Sequence, residues 1–227
     1  MWPLVQCGLE PEFIDVNIDN YCLDQELLKK NTKARAIMNI HILGNSPNMN
    51  KLTQFAKSKN MYLIEDTCEA LGSKFKNKYL GTFGDFGTYS FYYSHQITSG
   101  EGGMIVCKTK EDYELIYTLR SHGWDRGLSS NKKKNNFNFI NSGFNLRPMD
   151  LTAAIGLSQL KRLNSMIKSR SKNRRLIINR SKKHSKWEGQ FDFFNPNKNL
   201  EPSWFGLPLL INKELVNKKE KFIKYLN

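Results

Sequence analysis

The chain has 227 residues, with 35 Lys+Arg against 21 Asp+Glu for a formal net charge of +14, and it is 39% hydrophobic and 12% aromatic. That composition buries a core and excludes a disordered chain, and the apolar runs fall far short of the ~18 residues a membrane-spanning helix needs. The charge is uneven: residues 161–227 carry 17 Lys+Arg and 5 Asp+Glu, whereas the first 160 carry 18 and 16. The basic tract 161–186 alternates with Ser and Asn and reads as a solvated helix face, with a polyanion-binding surface as the alternative. Met1–Gln6 lacks a basic segment leading into an apolar one, and Cys7, Cys22, Cys68 and Cys107 show no C-x-x-C spacing. The expectation is a cytoplasmic chain with reduced thiols and no disulfide scaffold.

In chain order, Glu12–Val16 is a short β-rich run, and Asp24–Asn31 reads as a helix capped by Asp24. Residues 34–43 (ARAIMNIHIL) form a buried strand pattern closed by Gly44. Helical spacing of Met49, Leu52, Phe55 and Ala56 predicts a helix over 48–59, and Met61–Ile64 is again a strand, running into Glu65 and Asp66. Gly72–Gly87 reads as a turn-rich excursion, followed by an aromatic strand at 88–93, a loop holding His95, a glycine-rich turn at 100–103 and a strand at 104–107. Residues 111–120 are helical, 126–142 read as an exposed loop, and Asp150 caps a long helix with Ala153, Ala154, Leu157 and Leu160 as its buried stripe. Strands alternating with helices at this spacing predict an α/β fold with a mainly parallel sheet.

In open α/β sheets ligands collect at the carboxyl ends of strands. Asp66 sits at such an end, where it serves either as a ligand-facing carboxylate or as a helix cap. The segment 90–103 (SFYYSHQITSGEGG) places Ser90, His95 and a glycine-rich turn in one loop, a set able to cradle a phosphate and move a proton near neutral pH. Cys68 beside Asp66 is too few ligands for a metal, so no metal site is expected.

Residues 64–70 (IEDTCEA), 81–103 (GTFGDFGTYSFYYSHQITSGEGG) and 143–160 (GFNLRPMDLTAAIGLSQL) resemble, in order and spacing, three signatures of the DegT/DnrJ/EryC1/StrS family of pyridoxal-phosphate sugar aminotransferases. The resemblance implies the three-layer αβα large domain of fold-type I transferases, with a mainly parallel mixed sheet. It implies an incomplete large domain over 1–150, a connecting helix over 151–186 and the start of a small C-terminal domain over 187–227. It also implies a cofactor, pyridoxal 5'-phosphate or pyridoxamine 5'-phosphate, whose ring nitrogen meets Asp66 and whose phosphate meets Ser90. Asn145 then reaches the phosphate of the neighbouring subunit's cofactor in a homodimer. Glu69 stands where the family has a Gln that contacts the cofactor near its ring, so the resemblance implies a cofactor-binding place for Glu69 as well.

His95 is the telling departure. The family's usual residue there is the Lys that forms the Schiff base, and His resembles the nucleotide-sugar 4-keto-6-deoxyhexose 3-dehydratase branch, where pyridoxamine phosphate works with a His base. A nucleotide-sugar substrate and glutamate as amino donor follow from that resemblance, as does a place in deoxysugar or lipopolysaccharide biosynthesis. The cluster-bearing subtype would need thiols at Arg126 and Leu128 besides Cys68, so no iron–sulfur cluster is expected. Arg120, His122 and Trp124 are candidate substrate contacts, and Lys132–Lys134 is either a diphosphate contact or a solvated loop. Family members are longer, carrying an upstream Gly-Ser/Thr-Ala phosphate turn and a ring-stacking aromatic residue. Two readings therefore stand: an enzyme of the 3-dehydratase type, in one piece or split, and a non-catalytic fragment or partner subunit. Nucleic-acid binding through 161–186 ranks behind both.

Overall fold

The structure is a computed structural model that describes residues 2–29, 32–128 and 137–226. Its centre is a four-stranded sheet in the order β1-β2-β5-β6, built from β1 (Ala36–Ile40), β2 (Tyr62–Asp66), β5 (Phe86–Ser90) and β6 (Gly103–Cys107). β1, β2 and β5 run parallel and β6 is antiparallel to β5, so the sheet is mixed and mainly parallel, as expected. Between β1 and β2 lies α2 (Met49–Ser58), where Asn48 accepts the N–H of Lys51 at 3.3 Å and caps the first turn. Its helical spacing directs Met49, Leu52 and Ala56 inward, where they are fully or nearly fully buried.

Residues alternate across the sheet with period two, and the two faces differ. Ile37, Asn39, Leu63, Glu65 and Tyr89 point to a buried face that shares a core with α2, Phe75, Leu80 and Leu200. Met38, Ile40, Tyr62 and Ile105 belong to the opposite face and stay about half exposed. Register pairs Ile40 with Asp66, Asp66 with Thr88 and Thr88 with Ile105, so Asp66 stands in a row crossing this open face, and Ser90 follows two residues beyond Thr88.

The turn-rich excursion is a hairpin of β3 (Lys74–Phe75) and β4 (Lys78–Tyr79), whose Lys76 and Asn77 both take positive φ as a tight primed turn requires. β3 also pairs with β8 (Leu200–Glu201), so a late segment of the chain packs against an early one. At Gly87 an added Cβ would sit 1.9 Å from the Gly81 carbonyl oxygen, and only glycine permits that approach of β5 to the 81–84 loop.

The remaining elements are α1 (Trp2–Gln6), α3 (Lys110–Leu119), α4 (Asp150–Leu160), α5 (Leu163–Lys183), the small sheet of β7 (Phe191–Asp192) with β9 (Leu210–Ile211), and α6 (Lys219–Leu226). No helix among the described residues is long and apolar enough to cross a membrane.

Four local expectations are corrected. Glu12–Val16 forms no strand, only a bridge between Val16 and Leu23. The 24–31 segment shows, among its described residues 24–29, a single 3-10 turn, Gln25–Leu27, although Asp24 does cap it through Glu26 N–H. Met149, not Asp150, holds the N-cap position of α4. The stripe Ala153, Ala154, Leu157 and Leu160 is exposed, since no residue of α4 is buried within this chain. An apolar stripe states that a helix face wants cover, not that the same polypeptide provides it. The basic tract is largely the long exposed helix α5, except that Arg170 and Arg174 are half-buried, Arg174 over Trp204 at 4.0 Å from the ring centroid.

Candidate functional site

β2 delivers two adjacent carboxylates to opposite faces of the sheet, and their environments diverge completely. Glu65 turns inward and is wholly buried. Its Oε2 accepts from His41 Nε2 at 2.9 Å and Gly81 N–H at 2.8 Å, while Oε1 accepts from Phe83 N–H at 2.6 Å and Gly84 N–H at 2.7 Å. Burial opposes its charge, but His41 and the Gly84 and Gly81 amides outweigh that opposition and hold the carboxyl below its ordinary value. Glu65 thereby fastens the 81–84 loop, and with it the entry to β5, onto β2.

Asp66 turns to the open face. Its Oδ1 accepts Cys68 N–H at 3.1 Å, so the local capping role is real. Its other carboxylate oxygen has no hydrogen bond among the described residues, which leaves the ligand-facing role available as well. Burial first, and the Asp66 carboxylate second, push the Cys68 thiol up to about 12, so at neutral pH it is a protonated thiol.

At the end of β5, Ser90 Oγ accepts Tyr92 N–H at 3.2 Å and lies 3.5 Å from His95 Nδ1. His95 is carried by a turn in which its own N–H bonds to the Tyr92 carbonyl at 3.1 Å. Its ring meets Phe205 at a centroid distance of 5.2 Å and Tyr92 at 6.0 Å. The structure thus brings Ser90 and His95 together, with Asp66 one strand away on the same face.

Glu69 is occupied differently from the expectation that it borders a ligand. Its Oε2 accepts Leu43 N–H at 2.7 Å, and its backbone carbonyl accepts from Gln96 Nε2. Leu43 has φ 53°, a left-handed backbone that a leucine holds only under restraint. Glu69→Ala is expected to cost about 1–3 kcal/mol in a denaturation experiment, because the Leu43 amide loses its acceptor. Glu69→Gln retains a carbonyl oxygen for that amide and is expected to stay near wild type; equal losses for both variants would contradict this assignment.

Asn145 does not join the others. Its backbone pairs with Ser121 in a bridge, its side chain is exposed, and it makes no hydrogen bond to Asp66, Ser90 or His95. Of the further candidates, Arg120 stacks over Tyr117, His122 is exposed with φ 62°, and Trp124 stacks on Phe137 with Arg126 over its ring. Lys132–Lys134 lies outside the described residues.

Two features escaped the sequence reading. Strand alternation alone could have sent Glu65 inward once Asp66 was sent outward, although its four donors come from distant segments. Phe205 against His95 had no local signal.

A description of the DegT/DnrJ/EryC1/StrS aminotransferase family matches residues 2–227. The chain belongs to that family. It is 34% identical, over all of its own length and 60% of the relative's, to GDP-4-keto-6-deoxy-D-mannose 3-dehydratase of Escherichia coli O55:H7. The solved E. coli GDP-4-keto-6-deoxy-D-mannose-3-dehydratase with bound hydrated PLP superposes with a TM-score of 0.88 at 32% identity, covering 100% of this chain and 60% of that one. A second structure of a GDP-4-keto-6-deoxymannose-3-dehydratase, with a trapped PLP-glutamate geminal diamine, superposes equally well, with a TM-score of 0.88, 32% identity and the same coverage. The fold is therefore that of the family's sugar-modifying enzymes, and the chain spans about 60% of the length of the relatives it matches.

Proposed function

We propose that the chain carries the cofactor- and base-bearing part of a pyridoxamine 5'-phosphate-dependent nucleotide-sugar 3-dehydratase, acting on a GDP-linked 4-keto-6-deoxyhexose. The observation that carries this reading is the imidazole of His95 beside Ser90 on the open face that also holds Asp66. An imidazole has no primary amine to condense with an aldehyde, and its near-neutral chemistry suits it to take and return a proton. The likeness to 3-dehydratases at 34% identity supports the same branch.

The residues present fit the group: a carboxylate oxygen and an imidazole nitrogen without a hydrogen-bond partner among the described residues share one face with a serine hydroxyl. When bound, the cofactor supplies an amine for the C4 ketone and a ring that withdraws electrons from the reacting carbons. Asp66 holds the proton of the ring nitrogen through the oxygen that Cys68 leaves free. Ser90 donates its hydroxyl proton to a phosphate oxygen while its own oxygen keeps the Tyr92 amide. With cofactor and substrate in place, His95 Nε2 would be the group free to take a proton and to return it to a leaving hydroxyl. Glu69 supports the site through the Leu43 turn. Asn145 serves the neighbouring subunit's phosphate in a homodimer, a reading supported by exposed Phe144, Leu146, Leu151 and Leu157 around it. Glutamate is the amino donor, in line with the PLP-glutamate adduct of the similar structure. The four free cysteines fit a cytoplasmic setting.

Titration of the purified chain with pyridoxamine phosphate is expected to give a saturable change in cofactor absorbance. Absence of binding at millimolar cofactor would sink the reading for this chain by itself. A second reading, a partner subunit needing a complementary polypeptide, is favoured by the half-exposed Met38, Ile40 and Tyr62 of the open face. Binding that appears only after such a polypeptide is added would select it.

A further inference from the structure

Phe205 comes to His95 from a segment far along the chain, and that segment is locked in place. Ser203 N–H donates to Ser73 Oγ at 2.8 Å, and the two hydroxyl oxygens lie 2.9 Å apart. Gln96, the neighbour of His95, reaches both Ser203 Oγ at 3.4 Å and the Glu69 carbonyl. Phe205 N–H donates to the Leu43 carbonyl at 3.0 Å, and Leu43 N–H is the group held by Glu69. Trp204 is buried over Gly44, where an added Cβ would stand 2.8 Å from the Trp204 nitrogen. The 203–205 segment, the His95–Gln96 loop, the Leu43 turn and Glu69 thus form one closed set of contacts.

Within that set the His95 ring has little else to hold it. Its one side-chain hydrogen bond among the described residues, to Ser90, is 3.5 Å long and weak. Tyr92, its other aromatic neighbour, is 38% exposed. The rigid wall is Phe205, tilted by 42° at a centroid distance of 5.2 Å.

We propose that Phe205 is a positioning residue for His95, holding the imidazole so that Nδ1 faces Ser90 and Nε2 stays free for proton transfer. The proposal rests on the functional reading of His95 given above. A base that swings or flips presents the wrong nitrogen, and a misplacement of about 1 Å is enough to cost about 10²-fold in rate.

The test compares imidazole NMR signals of the wild type with those of Phe205→Ala, Phe205→Leu and Phe205→Tyr, with the His95 signals assigned by their loss in His95→Asn. In the wild type, ring protons of His95 are expected to be displaced by the Phe205 ring current, and its nitrogens to show one dominant neutral tautomer. Phe205→Ala is expected to abolish both signatures, and Phe205→Tyr to restore them. Phe205→Leu is expected to lose the ring-current displacement while keeping much of the tautomer bias, and it replaces the alanine variant if that one does not fold. His95 signals that keep their wild-type positions and tautomer in a folded Ala or Leu variant overturn the proposal. These spectra need no cofactor. Failure of the wild type to bind pyridoxamine phosphate would therefore remove the functional reading while the NMR result still decides the role of Phe205. In an active preparation, Phe205→Ala is further expected to lower kcat about 10²-fold with little change in cofactor affinity.

Discussion

Glu65→Leu is expected to destabilise the protein by about 3 kcal/mol or more, because several buried donors lose their acceptor at once and each left unsatisfied costs about 1–3 kcal/mol. The size follows from what is left behind: His41 and the amides of Gly81, Phe83 and Gly84 would all be buried donors without an acceptor. Glu65→Gln keeps one acceptor oxygen but turns an NH₂ toward donors, so it is expected to fall between leucine and wild type. Urea denaturation reads these differences directly, and a leucine variant within about 1 kcal/mol of wild type would show that the clamp is not needed, since surface-like substitutions cost no more than that. Acid should expose the same clamp. The folded-state carboxyl lies below its ordinary value of 4.5, so its contribution is complete above that value and is lost as pH falls through the folded-state value. The wild type is expected to lose stability across that acidic window, and Glu65→Gln to lose correspondingly less.

On the proposed 3-dehydratase activity, substitution of His95 is expected to produce the largest effect. His95→Asn keeps a polar group of similar reach next to Ser90 but cannot carry a proton near neutral pH. It is expected to lower the dehydration rate by about 10²–10⁴-fold, the usual worth of a positioned acid–base group. Pyridoxamine phosphate affinity, which depends on Asp66 and Ser90 in this reading, is expected to change little. His95→Lys supplies the missing primary amine and is expected to form a covalent adduct with pyridoxal phosphate that borohydride reduction fixes for mass spectrometry. A His95→Asn variant with wild-type turnover would remove His95 from the chemistry. A lysine variant without the adduct would indicate that the cofactor aldehyde does not approach this position.

The two experiments address opposite faces of one sheet, and β2 carries a carboxylate to each. Glu65 and Asp66 are neighbours in sequence, yet the pleat sends one into the core and the other to the open face. The first shapes the loop that leads to β5, and the second stands in the row of side chains that leads toward Ser90 and His95. Stability and the proposed chemistry are thereby separated across a single peptide bond.

Much of this was legible in the residues. The parallel core followed from strand and helix periodicities, which depend on local spacing: β1, α2, β2, β5, β6 and α3 lie within a few residues of their expected positions. That Asp66 and Ser90 stand at strand ends on one face, with His95 in the loop after β5, was legible because each falls in a motif where strands of an open sheet end. The shorter runs 12–16 and 24–31 failed because a few β-rich or helix-forming residues yield to whatever contacts the rest of the chain offers.

The amino-acid order by itself determined the alternation of strands and helices, the strand-end cluster and the substitution of an imidazole for an amine at position 95, because each is a matter of residue type at fixed spacing. Only the tertiary structure decided which of two adjacent carboxylates is clamped by four donors, which sheet face and which helix stripe this chain leaves uncovered, and that Phe205 closes over His95. Those outcomes depend on segments remote in the chain meeting in space, and no local pattern encodes a partner that arrives from elsewhere.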